Sequence, residues 1–225
     1  MGVMLLADRV LAALACQLGQ PTGFAGRVVG RLLNRGNRSA VIAAVESADV
    51  ADRDAIVADI GFGGGVGLEV LLRSVGPTGS VHGVEMSATM LAEAAHRFAH
   101  DISIGRLYLH EARMERLPFA DASLDAIVST NTIYFVEYLA AALREVVRVL
   151  GPTGRLVLGV GDPGQMSTMP FTRHGFRLRP IEEIIALLRE AGFASVDDRR
   201  IGNGPGAFHV LVCNISGEHP SCRGT

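Results

Sequence analysis

Short apolar runs and amphipathic stretches alternate along the chain from residue 56 onward. Ile56–Ile60, Ser80–Glu85, Leu107–Glu111, Leu124–Thr130, Arg155–Val160, Ser195–Arg200 and Ala207–Asn214 have the length and composition of strands. Val66–Val75, Met90–Ala99, Leu139–Val149 and Ile181–Ala191 carry apolar residues at helical spacing and predict helices. Gly76-Pro77-Thr78-Gly79 and Gly151-Pro152-Thr153-Gly154 read as turns between a helix and the next strand. The alternation predicts an α/β fold: a doubly wound, mostly parallel seven-stranded sheet with helices on both faces. Only Gly202-Asn203-Gly204-Pro205-Gly206 separates the last two strands. That link is too short for a crossover helix, so these strands pair antiparallel and the C-terminal strand is reversed.

Ahead of this alternation, Leu6, Val10, Leu14 and Leu18 recur every four residues, the spacing of an amphipathic helix. A second helical pattern follows with Val28, Val29, Leu32 and Leu33, and it places Arg27, Arg31, Arg35 and Arg38 on roughly one face. The arginine stripe is either a solvated face or a surface for an anionic group, a partner or a membrane. Gly30 and Gly36 weaken this helix, as befits a mobile lid. The expected organisation is a helical lid over 1–50, the main domain over 51–215 and a loose tail over 216–225. Residues 1–18 do not read as a signal peptide, because no positive charge precedes the apolar part and Asp8 and Arg9 interrupt it. No apolar run reaches the length of a membrane span, so no integral membrane association is expected.

Composition narrows the classes. With 225 residues, 48% hydrophobic and 20% charged, the chain can bury a sizeable core. A net charge of −2 without a basic block argues against a nucleic-acid partner. Cys16, Cys213 and Cys222 are scattered and form neither a disulfide framework nor a metal knuckle, which fits a reducing cytoplasm. All 21 basic residues are arginine, so a Walker A lysine, a pyridoxal Schiff base and a kinase lysine are excluded.

The candidate chemistry starts at Ile56-Val57-Ala58-Asp59-Ile60, which runs into five glycines within the seven residues Gly61 to Gly67. Strand, glycine turn and helix together bring backbone N–H groups close to a ligand. The turn has three readings. Asp59-x-Gly61-x-Gly63-x-Gly65 resembles the first motif of the class I S-adenosylmethionine (AdoMet) methyltransferases. Gly61-x-x-x-Gly65-x-Gly67 matches the short-chain dehydrogenase spacing, and a purely structural turn is the third. The dehydrogenases pair a tyrosine with a lysine four residues later, and Tyr108, Tyr134 and Tyr138 are followed there by Ala112, Tyr138 and Ala142. Glu85 ends the second strand, where a carboxylate can accept both ribose hydroxyls of an adenosine.

Three further stretches carry the resemblance. Met86-Ser87-x-x-Met90-Leu91-x-x-Ala94 follows Glu85 as it does in the methyltransferases. Arg113-Met114-Glu115-Arg116-Leu117-Pro118-Phe119-Ala120-Asp121-Ala122-Ser123-Leu124-Asp125 is similar to a stretch of the small-molecule enzymes whose first two positions hold the adenine edge. Arg113 departs from the usual acceptor, so either it stacks on the ring, or Glu111 substitutes, or the contact is backbone only. Ser129-Thr130-Asn131-Thr132-Ile133-Tyr134-Phe135 ends the fourth strand without the prolines of the enzymes that methylate DNA amines, and without the carboxylates of the metal-dependent catechol type.

Residues 56–214 thus resemble the class I AdoMet methyltransferases, in the broad small-molecule group that includes quinone-biosynthesis C-methyltransferases. The resemblance implies a Rossmann-like methyltransferase fold, AdoMet as cofactor, S-adenosylhomocysteine as product and no metal. It implies that Asp59, Gly61, Gly63 and Gly65 cradle the methionine part and Glu85 the ribose. Met86, Arg113 and Met114 would then lie at the adenine and Asn131 where cofactor meets substrate. Phe24, Tyr134, Met169 and Phe176 are the candidate substrate contacts, in a lid of residues 1–38 and 161–179 suited to a small lipophilic or aromatic acceptor. His174 is the candidate general base within that lid. Two rival readings stay open: an AdoMet-binding module without catalysis, and a nicotinamide-dependent oxidoreductase.

Overall fold

The computed structural model describes residues 2–19, 21–23, 38–202 and 207–216. Helix α1 spans Gly2–Gly19 and a second helical stretch, α2, covers residues 38–46. The strands are β1 Ile56–Ile60, β2 Ser80–Glu85, β3 Leu107–Glu111, β4 Leu124–Thr130, β5 Leu150–Gly161, β6 Ser195–Ile201 and β7 Phe208–Asn214. Between them lie α3 Val66–Ser74, α4 Ala88–Arg97, α5 Ala99–Ser103, α6 Leu139–Val149, α7 Pro163–Met166 and α8 Ile181–Ala191. The sheet order is β3-β2-β1-β4-β5-β7-β6. Strands β1 to β5 pair in parallel, and β7 runs antiparallel to both β5 and β6. The expected reversed last strand is present.

Neighbouring residues of the central strands alternate between two cores, one on each face of the sheet. Ala58, Ile127, Leu156 and Leu158 face α6 and α8 through Leu143, Val146, Ile184 and Leu188. Val57, Ala126, Val128 and Val157 face α3 and α4 through Leu68, Leu71, Met90 and Ala94. Helices α6 and α8 have the limits their apolar spacing predicts. Helix α4 starts two residues early, at Ala88, because the Ser87 hydroxyl accepts from the Met90 N–H and caps the first turn. The turn expected at Gly151–Gly154 is embedded in β5. Leu124 pairs with Leu150 and Ala126 with Arg155, so residues 151–154 loop out of the ladder. A Cβ at Gly154 would sit 2.8 Å from the Gly151 carbonyl oxygen, so the bulge closes on itself only with glycine.

Among the described residues no helix is long and apolar enough to cross a membrane. Of the arginine stripe only Arg38 is described; its guanidinium lies 3.6 Å from the Glu69 carboxylate. Arg27, Arg31, Arg35 and Phe24 lie outside the described residues.

Candidate active site

The C-terminal ends of β1, β2 and β4 converge on one cleft, where ligands bind in open α/β sheets. The chain leaves β1 through Gly61 at φ 73°, Gly63 at φ 49° and Gly65 at φ 75°, the last of which precedes α3. Such values suit glycine alone. A side chain at Gly61 would also collide with Thr132, whereas one at Gly63 would meet nothing within 4 Å and would project into open space. Ser129 and Thr132 donate their hydroxyls to the Ile60 carbonyl at 2.8 and 3.2 Å, which fixes the end of β1 against β4.

Two carboxylates face this turn. Glu85 Oε2 accepts from the Gly63 N–H at 3.1 Å, and its Oε1 accepts from Met86 and Ser87 N–H at 2.8 and 3.0 Å. Three donors orient the group and still leave acceptor capacity. Asp59 is 3% exposed. Burial, with the nearby Glu85 charge adding to it, pushes its carboxyl up to about 7. Its side chain makes no hydrogen bond among the described residues and lines the cleft. An unpaired buried acid at a ligand wall suits a cationic donor such as an α-ammonium group.

Asp59, Gly61, Gly63, Glu85, Met86, Arg113, Met114 and Asn131 all line this cleft. Gly65 stands behind it, where an added Cβ would lie 3.1 Å from the Phe98 ring. Met114 is buried against the core, and Arg113 bridges to Arg116 across a tight backbone turn. Glu111 is exposed at the tip of β3 and does not line the cleft. Leu18, Pro21, Val41, Thr132 and Phe135 also form its walls. Thr132 and Phe135 belong to the stretch after β4 that the sequence singles out, whereas nothing local marked Leu18, Pro21 and Val41, which reach the cleft from the segment before β1.

A second cavity of about 280 Å³ adjoins the first. Tyr134, Met169 and Phe176 line it, together with Met166, Phe171, Phe208 and the polar pair Asp162 and Gln165. Leu18, Asn131 and Phe135 line both spaces and form their junction. Asn131 is held at φ 57°, with its N–H bonded to the Gly159 carbonyl at 2.8 Å. The Tyr134 hydroxyl accepts from the Gly161 N–H at 2.6 Å and donates to Asn131 Oδ1 at 3.3 Å, so it ties the tips of β4 and β5 together. Burial raises the Tyr134 phenol well above its ordinary value, so this hydroxyl stays protonated and serves as a fixed strut.

His174 is not among the residues lining either space. Its Nε2 lies 3.2 Å from Asp8 Oδ1 on α1, so it links the segment after β5 to the N-terminal helix. His96 and His100, four residues apart, fall on the separate helices α4 and α5 and are both exposed. No group of three or more candidate metal ligands exists among the described residues.

Residues 58–158 match the family described as methyltransferase domain. The chain is 28% identical over 180 residues to the ubiquinone/menaquinone biosynthesis C-methyltransferase UbiE of Ectopseudomonas mendocina, covering 68% of this chain and 70% of that protein. It is 26% identical over 148 residues to the arsenite methyltransferase of Halobacterium salinarum, covering 63% of this chain and 38% of that protein. The chain spans between 31% and 38% of the length of three of the curated relatives it matches. Its fold is similar to that of a SAM dependent methyltransferase from Aquifex aeolicus, with a TM-score of 0.67, 17% identity and coverage of 83% of this chain and 97% of the other. Sheet order, glycine turn and paired carboxylates agree with this match: residues 58–158 match a methyltransferase domain, and the chain is similar in sequence to UbiE and in fold to a SAM dependent methyltransferase.

Proposed function

We propose that the protein transfers a methyl group from AdoMet, bound in the first cleft, to a small and largely apolar acceptor in the second cavity. The observation that carries this reading is the shared wall of Leu18, Asn131 and Phe135 between a polar, glycine-rimmed cleft and a Met- and Phe-lined space. AdoMet, when bound, supplies an electrophilic methyl on a sulfonium.

Asp59 would pair with the α-ammonium, and the turn through Gly61, Gly63 and Gly65 leaves room for the methionine chain. Glu85 would accept from the ribose hydroxyls. Met86, Met114 and Arg113 would bound the adenine; Arg113 offers only donors and a flat face, so stacking is the contact it supports. Asn131 sits at the crossing point. Phe135 stacks edge-on to Phe176 at 4.7 Å and, with Tyr134, would exclude water from the path between the two spaces. Catalysis would then rest on holding the acceptor in line and dry.

The second cavity favours an organic acceptor over arsenite. It is lined by methionines and phenylalanines and by no cysteine among the described residues, while a soft metalloid calls for thiolates. A quinone or phenol precursor suits the space, in keeping with the UbiE similarity. His174 enters this reading as a tether of α1 through Asp8. Phe24 remains a proposed acceptor contact on the strength of the sequence alone. The described cysteines, Cys16 and Cys213, are unbridged, which is compatible with a reducing cytoplasm.

The test is methyl transfer from labelled AdoMet to a panel of phenols and quinones. Labelled product with one acceptor class supports the reading. Tight AdoMet binding without transfer to any acceptor favours the non-catalytic module.

A further inference from the structure

The second cavity has one charged wall residue among those described, Asp162, at the end of β5. Its backbone N–H is held by the Ala207 carbonyl at 3.0 Å. Its Oδ1 accepts from the Gln165 N–H at 2.9 Å. Among the described residues its Oδ2 has only long partners, His209 Nε2 and the Arg200 guanidinium, both at 3.5 Å. His209, 8% exposed on β7, is fixed from behind: its Nδ1 lies 2.9 Å from both oxygens of Asp198 on β6.

The Nδ1 contact with Asp198 fixes the imidazole behind Asp162, while the Gln165 N–H holds Oδ1, so the carboxylate is kept at one angle with its Oδ2 loosely engaged among the described residues. The Gln165 N–H, together with His209 and Arg200, also keeps Asp162 below the usual carboxylate range. An ionised carboxylate of that kind is a weak base and a good hydrogen-bond acceptor. As the one charged group in a largely apolar wall among the described residues, it selects among acceptors by what they present to it. A hydroxyl or amine N–H satisfies it, an ether leaves it unpaired, and a carboxylate is repelled.

We propose that Asp162 is the specificity anchor of the acceptor cavity, binding small apolar acceptors through a hydroxyl or amino hydrogen and excluding acidic ones, with His209 as its positioning residue. This rests on the methyltransferase reading and names the acceptor class within it.

The experiment uses the full chain saturated with S-adenosylhomocysteine. Equilibrium dialysis measures 2-naphthol, 2-methoxynaphthalene and 2-naphthoate, three probes with the same apolar body. The wild type is expected to prefer 2-naphthol over each of the others by roughly 10- to 100-fold. Asp162→Asn retains an N-cap side chain and should bring 2-naphthol and 2-naphthoate to within about threefold of each other. His209→Gln should narrow the same ratio part of the way while leaving S-adenosylhomocysteine affinity unchanged.

Equal binding of the three probes by wild type would overturn the proposal, as would an unchanged ratio in Asp162→Asn or no 2-naphthol binding to the saturated protein. Failure to bind S-adenosylhomocysteine in the first place would instead overturn the methyltransferase reading, so the two failures separate.

Discussion

Asp59 is asked to be a liability in the free protein and an asset in the complex, and Asp59→Asn separates the two roles. Its carboxyl is raised from 3.8 to about 7 by burial and by the Glu85 charge. The folded state therefore binds more protons than the unfolded state between those values. Stability falls as pH rises across that window and is level above it. At 1.36 kcal/mol per unit, the penalty above pH 7 has a ceiling of about 4 kcal/mol, which water in the open cleft reduces. Asn fills nearly the same volume and carries no charge. Asp59→Asn should thus be about 1–3 kcal/mol more stable than wild type at pH 8 and close to equal at pH 4.5. Urea unfolding at the two pH values measures this directly.

With saturating AdoMet the gap should largely close, because the variant loses a charge-assisted bond worth about 1.5–3 kcal/mol and binds roughly 10- to 100-fold more weakly, a loss of the same size as its gain. A variant no more stable than wild type at pH 8, or a gain that does not grow between pH 4.5 and 8, would refute the claim that this acid is buried without a partner.

Other outcomes follow from the same geometry. Gly63→Val should keep the circular dichroism of wild type and lose AdoMet binding in calorimetry, since its side chain would enter the open space at φ 49°. Glu85→Ala should weaken AdoMet about 10²-fold, and Glu85→Gln less, because the amide oxygen still accepts. Tyr134→Phe frees the Gly161 N–H and should cost about 1–2 kcal/mol of stability in urea titrations, with AdoMet affinity little changed. His174→Ala and Asp8→Ala break one contact and should shift the acceptor KM alike. A turnover loss of about 10²–10⁴-fold in His174→Ala alone would support a general-base role for that residue.

The sheet and the cofactor-side wall were legible because both are local. Short, nearly continuous apolar runs mark β1 and β4 as strands buried on both faces, and the glycine spacing marks a turn whose positive φ values leave few alternatives. Glu85 was recognisable as a carboxylate at a strand end. What escaped depends on contacts distant in sequence. Asp162, His209 and Asp198 meet because β7 inserts between β5 and β6, a pairing order the hairpin alone does not specify. Leu18 joins the walls through the packing of α1 against Phe135, where a Cβ at Gly19 would already sit 2.7 Å from that ring. His174 belongs to a segment without periodicity, so its contact with Asp8 had no signal in the residues around it.

The central claim is that the glycine turn with Asp59 and Glu85 is an AdoMet site. Calorimetric titration of the wild-type chain with AdoMet and, separately, with NAD tests it most directly. Saturable one-to-one binding of AdoMet, displaced by S-adenosylhomocysteine, and no binding of NAD are expected. A folded protein that binds NAD, or that gives no saturable AdoMet isotherm, would contradict the claim.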